Sequence, residues 1–179
     1  MNTSMSALCS LAVAAVLAAG PSVATAADPD PFSGDRKLTL SPQDHEFALS
    51  VSKDGEVSST ERWGKRSMFV ATPLGGGRSW LQTAHLRSGG EALCLKLTKR
   101  AVVTAACDAS ARHQRFAFTE AGETDGGDPT YTIRTGASRY LVVTDEGAFV
   151  PARIGEGTPD IDTPFLLVDR GRARLPALD

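Results

Sequence analysis

The chain has 179 residues, of which 41% are hydrophobic and 22% are charged, and its formal net charge at pH 7 is −2. This composition is typical of a globular protein, and the length suits one domain that can bury a core without a metal ion. Because the charge is nearly balanced, nucleic-acid binding and adhesion to anionic membranes are disfavoured as primary functions.

Residues 1–26 are predicted to be a cleaved signal peptide. They contain no charged side chain, and their apolar run over residues 7–19 is too short to span a bilayer. Residues 24–26 (Ala-Thr-Ala) place small side chains at the two positions that a signal peptidase reads, so we expect cleavage before Ala27. The basic start that such signals usually have is missing, and a buried N-terminal helix is the alternative. The mature protein is expected to be secreted and extracellular.

Three segments repeat a β-hairpin pattern at a spacing of about 46 residues. In each segment apolar residues recur two apart, which is the period of a strand, and a turn and a returning apolar position follow. The four aligned columns are Leu49, Leu95 and Leu141; Val51, Leu97 and Val143; Gly55, Ala101 and Gly147; and Val57, Val103 and Phe149. We interpret these segments as equivalent hairpins, aligned without a gap.

A further apolar pair follows each hairpin, beginning at Phe69, Phe116 and Phe165, so each repeat contains about four short strands. A propeller built of such units needs four or more blades, whereas three units close as a β-trefoil, in which hairpins cap a small barrel. We therefore predict an all-β fold with about twelve strands, a single β-trefoil domain over residues 27–179 that ends in a short tail. The predicted repeats cover approximately residues 36–77, 78–125 and 126–170.

Several polar segments outside the predicted strands are candidates for contact with a partner. Trp63 lies in a polar loop, where an exposed aromatic side chain indicates a contact surface, with packing across the loop as the alternative. Residues 44–46 (Asp-His-Glu) are expected to form a solvated cluster. The acidic loop 122–129 and the loop 155–160 depart from the repeat pattern, and binding often resides in such loops. The basic C-terminal residues 170–174 are expected to be solvated.

The predicted mature chain keeps two cysteines, Cys94 and Cys107. Disulfides persist in extracellular proteins, so we predict that these two pair. The bond would close a loop of about 15 residues, for which chain entropy suggests a stabilisation of about 3 kcal/mol. Two metal ligands are the alternative, but zinc sites usually need four ligands at close spacings, and the sequence has neither C-x-x-C nor H-x-x-x-H.

Three short motifs follow one another in the second repeat: Cys-Leu at Cys94, Cys-Asp at Cys107, and Gln-x-Phe at Gln114. Over residues 91–119 this order resembles one repeat of the ricin-type β-trefoil lectin family. The other two repeats share the spacing and the Phe but lack the cysteines and the Gln. The resemblance implies the same fold as the threefold pattern, and it implies sugar binding in shallow pockets, one per repeat at most.

The working subsites of that family combine an Asp on the first strand, an Asn or similar group just before the Gln, and an aromatic platform. A sugar needs such groups because its hydroxyls bind carboxylates and amides while its C–H face packs on a ring. Here the Asp position holds Lys96, and His113 precedes the Gln. The corresponding residues elsewhere are Ser50 and Arg66 in the first repeat and Val142 and Asp162 in the third.

The candidate ligand-binding residues are therefore a modified set, Asp108, His113 and Gln114, together with Trp63. For Gln114 the alternative is a brace within the fold, and for Asp108 it is a cap on a backbone amide.

Two functions of different classes remain open, because trefoils host both. The first is binding of a glycan or glycoprotein, and the second is binding of an extracellular protein, such as a hydrolase inhibited by an inserted loop. We expect no enzymatic activity, no cofactor and no metal, and neither nucleic acid nor membrane as a partner.

Overall fold

The structure, a computed structural model, describes residues 30–85, 87, 89–153 and 163–175. This part of the chain contains twelve β-strands, one short 3-10 helix at Lys65–Ser67 and no α-helix. The strands are β1 Arg36–Pro42, β2 Ala48–Val51, β3 Val57–Thr60, β4 Phe69–Gly75, β5 Arg78–Thr83, β6 Leu93–Leu97, β7 Val102–Ala106, β8 Phe116–Glu123, β9 Pro129–Thr135, β10 Tyr140–Val143, β11 Phe149–Ala152 and β12 Phe165–Arg172. The predicted signal peptide and the loop 155–160 lie outside the described residues.

Six of the strands form a closed ring. β1 pairs with β4, β4 with β5, β5 with β8, β8 with β9, β9 with β12, and β12 again with β1, all antiparallel. The first and fourth strands of each group of four thus build the barrel. The carboxylate of Asp169 on β12 accepts a hydrogen bond from Nε of Arg36 on β1 at 3.0 Å, which links the two ends of the ring.

The remaining six strands are three hairpins, β2–β3, β6–β7 and β10–β11. Each hairpin presents a leucine to the core, and Leu49, Leu95 and Leu141 all belong to one buried cluster. The predicted hairpins and the predicted all-β trefoil are therefore confirmed.

The fourth strand of each group begins with a phenylalanine that packs in the same core. Phe69, Phe116 and Phe165 are fully buried in the cluster that holds the three leucines. Strand alternation brings the residue two positions further along each strand, Ala71, Phe118 or Leu167, to the same cluster. The disulfide between Cys94 and Cys107 is also present, which confirms the predicted pairing.

The gapless alignment of the hairpins is wrong in the second repeat. Val51 pairs with Val57 and Val143 with Phe149, so residues 52–56 and 144–148 form turns of equal length. Leu97 instead pairs with Val102, which leaves only residues 98–101 between the strands. The second turn is one residue shorter, and the buried equivalent in β7 is Val102 rather than Val103.

The expectation of a solvated C-terminal tail is wrong at its start. Arg170 lies within β12, where it is half-buried and its Nε donates to Oγ1 of Thr39 at 3.3 Å. The strand continues to Arg172 because this segment pairs with β1 across the barrel seam.

Candidate functional site

Gln114 is buried, with 1% of its surface exposed, and its amide is used inside the protein. Its Oε1 accepts from the backbone N–H of Asp108 at 2.8 Å, and its Nε2 donates to the carbonyl of Ala106 at 2.9 Å. The two backbone partners determine the orientation of the amide, since an N–H only donates and a carbonyl only accepts. The structure thus places Gln114 as a brace of the segment after β7.

Asp108 lies at the surface and caps the turn that follows it. The hydroxyl of Ser110 and its backbone N–H donate to Oδ1 of Asp108 at 2.7 and 2.8 Å. These bonds lower the pKa of the Asp108 carboxyl, and the positive charge of Lys96 contributes in the same direction. One carboxylate oxygen is therefore committed to the turn.

His113 is exposed, next to the buried Gln114. Its carbonyl accepts from the backbone N–H of Leu97 at 3.1 Å, which fixes the chain at this point against the hairpin β6–β7. Asp108 and His113 are thus held near each other by Gln114, but Trp63 is not part of this group.

Trp63 lies in a different depression, which we call the Trp63 cleft and which has a volume of about 340 Å³. Its walls come from the connection after β1, the connection after β3, and the β8–β9 turn, with Leu166 of β12 beside them. The titratable and aromatic residues that line it are Trp63, Asp44, His45 and Asp125.

Trp63 is 39% exposed, the only large hydrophobic side chain with such exposure among the residues that the structure describes. The guanidinium carbon of Arg170 lies 4.9 Å from its ring centroid, and that guanidinium is in turn tied to Thr39. A cation over an aromatic ring is attracted to its π-electrons, so Arg170 holds the ring in place. An exposed indole held in this way provides a rigid apolar surface for a ligand.

The acidic side of the Trp63 cleft is also built on ordered turns. In the β8–β9 turn, the backbone N–H of Thr124 donates to the carbonyl of Asp128 at 2.9 Å. The backbone N–H of Gly127 donates to the carbonyl of Thr124, also at 2.9 Å. Asp44 has a φ of 66°, a left-handed conformation that Asp tolerates better than most residues. The cleft therefore presents carboxylates from two separate turns beside an exposed ring.

The sequence singled out Trp63, residues 44–46 and the loop 122–129 one at a time, and the structure brings all three to one place. Their proximity follows from the pairing of β1 with β12 and of β12 with β9, which no local pattern in the sequence reveals. Within the described residues, no group of three His, Cys, Asp or Glu side chains is arranged to hold a metal ion. No helix in this part of the chain is both long and apolar enough to cross a membrane.

Comparison with known proteins supports the fold and does not assign a family. No protein-family model matches the sequence, and no curated protein is significantly similar to it. Among solved structures, the BEL β-trefoil has a TM-score of 0.56 at 12% identity, covering 75% of this chain and 92% of that one. The designed threefold-symmetric protein ThreeFoil has a TM-score of 0.55 at 18% identity, covering 74% and 98%.

A third similar structure is SeviL, described as bound to asialo-GM1 saccharide. Its TM-score is 0.56 at 8% identity, covering 76% of this chain and 99% of that chain. At these low identities the likeness shows a shared β-trefoil fold, and function has to be argued from the residues of this chain.

Proposed function

We propose that this protein binds saccharides and that the Trp63 cleft is its principal binding site. The observation that carries the proposal is the combination of an exposed, immobilised indole with Asp44 and Asp125 in one cleft. The C–H face of a sugar ring packs on an aromatic surface, and its hydroxyls donate to carboxylates. The second-repeat group has an exposed carboxylate and a histidine but no comparable exposed ring.

The chemistry of binding requires no covalent step. Trp63 contributes apolar contact with the sugar face, and the carboxylates accept from neighbouring hydroxyls and thereby select their arrangement. His45, exposed in the same cleft, adds a further donor or acceptor, and its ring is held 4.7 Å from that of Phe47. The structural likeness to a saccharide-bound trefoil supports the proposal at the level of fold.

A glycan array probed with the oxidised mature chain tests this function. We expect Trp63→Ala to weaken binding of the best glycan by about tenfold, corresponding to about 1.4 kcal/mol, because the apolar platform is lost. The combined change Asp44→Asn and Asp125→Asn should weaken binding comparably and alter the preference among glycans, since hydroxyl acceptors are replaced by amides. Isothermal titration calorimetry with the best glycan measures each change.

Asp108→Ala is the matched control, because it alters an exposed carboxylate of the second repeat outside the Trp63 cleft. We expect it to leave affinity within about twofold of the unmodified chain, since less than 0.5 kcal/mol is then lost. Loss of binding in this variant, with Trp63→Ala unaffected, would assign the site to Asp108 and His113 instead. Absence of any glycan signal contradicts the proposal.

A protein partner is the second candidate function, favoured by the position of the β8–β9 turn beside Trp63. Tryptophan is among the residue types enriched in interaction hot spots, and Trp63 is exposed beside this turn. In that case the chain forms a stoichiometric complex with an extracellular protein, which Trp63→Ala disrupts, and it shows no response on the glycan array. Under either function, we propose a secreted protein that acts by binding rather than by catalysis.

A further inference from the structure

A second depression, which we call the basic cleft, is also lined by the connection between β3 and β4, through Arg66. Its volume is about 680 Å³. Three of its walls carry Lys53 from the first hairpin turn, Arg66 from the 3-10 helix, and Arg87 from the connection between β5 and β6. Glu91 is the one carboxylate that lines it. This local excess of positive charge contrasts with the net negative charge of the chain.

In the part of the chain that the structure describes, none of the side chains of Lys53, Arg66 and Arg87 forms an ion pair with a carboxylate. All three are solvent-exposed, whereas the floor is made by the buried residues Thr83 and Leu93. Cations that lack internal partners at the rim of a concave surface attract anions from solution.

One uncharged side chain of the basic cleft also favours an acceptor as ligand. The hydroxyl oxygen of Ser52 accepts from the backbone N–H groups of Asp54 and Glu56, both at 3.2 Å, so its own proton remains available for donation. His85 adds no such donor, because its Nδ1 already donates to the carbonyl of Lys65 at 3.1 Å. The donors offered to a ligand are therefore the Ser52 hydroxyl and the three cations, and an oxyanion is the group complementary to them.

One short segment separates the basic cleft from the Trp63 cleft. Trp63 lines one cleft and Arg66 lines the other, and their Cα atoms are at most about 11 Å apart, since three residues of extended chain reach no farther. The basic cleft has the larger excess of positive charge, because three cations line it, whereas Asp44 and Asp125 offset the Arg170 guanidinium beside Trp63. The separation of Trp63 and Arg66 is within the reach of an oligosaccharide of a few rings.

We infer that the ligand is an acidic saccharide, whose carboxylate or sulfate group binds in the basic cleft while an uncharged ring packs on Trp63. That the ligand is a saccharide rests on the function proposed above, whereas the contact with its anionic group rests on the basic cleft itself. Asp44 and Asp125 disfavour a negative charge beside them in the Trp63 cleft, and for this reason the anionic group is assigned to the basic cleft.

The test is a paired glycan array, in which each sulfated or uronic-acid glycan stands beside its desulfated or carboxyl-reduced form. We expect the mature chain to bind the acidic member about tenfold more tightly, because charge-assisted hydrogen bonds are the stronger class. The double variant Lys53→Gln and Arg66→Gln should bind both members equally, at the affinity of the neutral glycan. Sulfated and uronic-acid pairs report separately which oxyanion the cleft prefers.

The double variant Arg62→Gln and Lys65→Gln is the control, since it removes two positive charges close to Arg66 without changing a side chain that lines the basic cleft. It should keep the preference for the acidic member. Equal loss in both double variants would show a diffuse field and overturn the inference, as would a preference that survives Lys53→Gln and Arg66→Gln. Equally tight binding of a DNA oligonucleotide would overturn the assignment to saccharides.

The two proposals fail in different ways. If neutral glycans bind through Trp63 but the acidic members gain nothing, saccharide binding stands and the basic cleft is rejected. If Trp63→Ala leaves all glycan binding intact while Lys53→Gln and Arg66→Gln abolish the acidic preference, the basic cleft stands and the Trp63 cleft is rejected.

Discussion

Gln114 offers a sharp test of how one side chain stabilises an irregular segment. Its amide bonds two backbone groups on either side of Cys107, and it is almost wholly buried. We expect Gln114→Ala to lower the free energy of unfolding by about 2 kcal/mol, because an N–H and a carbonyl then lose their partners in a partly buried position. Urea denaturation of the oxidised protein measures this change.

The neighbouring His113→Ala is the control for that experiment. The His113 side chain is exposed, so we expect its removal to change stability by less than about 0.5 kcal/mol. A small effect of Gln114→Ala, comparable with that of the histidine variant, would show that the amide does not support the fold.

At the residue scale, the sequence predicted the chemical character of individual side chains better than which side chains lie close together. Trp63 stood out because a large aromatic side chain is unusual in a polar loop, and the structure finds it exposed. Its neighbours Asp44 and Asp125 could not be predicted as such, because their proximity depends on pairings between strands that are distant in the chain. The basic cleft has the same origin, since Lys53, Arg66 and Arg87 come from three connections and form no run of charge.

The disulfide bond acts at the scale of one element, the second hairpin. It joins Cys94 in β6 to Cys107 just beyond β7, with a sequence separation of 13. We expect Cys94→Ala with Cys107→Ala to lower the free energy of unfolding by about 3 kcal/mol, because the unfolded chain loses a constraint. The far-ultraviolet circular dichroism spectrum should not change, since the hairpins β2–β3 and β10–β11 form without such a bond.

Reduction of the unmodified protein should lower its stability by the same amount as the double variant. If reduction and substitution both leave the denaturation midpoint unchanged, the bond does not stabilise the fold. If instead the double variant loses its β-sheet spectrum, the second hairpin depends on the bond more than its two counterparts suggest.

The register of the hairpins shows where sequence patterns fail at the element scale. Gly55 and Gly147 have positive φ values of 88° and 78°, which a turn of this type requires and which glycine adopts freely. Ala101 was aligned with them, but its carbonyl accepts from the backbone N–H of Thr98 at 3.0 Å, the function that Glu56 and Ala148 have in the longer turns. Because Ala101, Val102 and Val103 are all small or apolar, the pattern of apolar positions does not reveal that this turn is one residue shorter.

The whole-molecule architecture was the most predictable feature, because it is specified three times. The strand period and the inward phenylalanines recur in every repeat, so an error in one hairpin turn leaves the count of strands and the closure of the ring unaffected. The two clefts break the threefold pattern, since their residues come from connections that differ among the repeats. A repeat-based argument therefore predicts the scaffold and does not predict the site.

Equivalent burial of the three hairpin leucines should have equivalent energetic consequences. Leu49, Leu95 and Leu141 lie in one core cluster with at most 1% of their surface exposed. We expect each change to Ala to lower the free energy of unfolding by about 3 kcal/mol, because a buried leucine loses its transfer energy and leaves a cavity. The three values should agree within about 1 kcal/mol. A spread of this size is expected because partial collapse of the cavity differs from site to site.

Val103→Ala is the matched control for the leucine series, because Val103 is only half-buried and lies outside the core cluster. The loss of stability should be below about 1 kcal/mol, in keeping with the removal of both γ-methyl groups at a partly exposed position. Urea denaturation of all four variants under oxidising conditions provides the comparison. A leucine variant that behaves like Val103→Ala would show that its repeat does not contribute to the common core, and the pseudo-threefold account of stability would then be wrong.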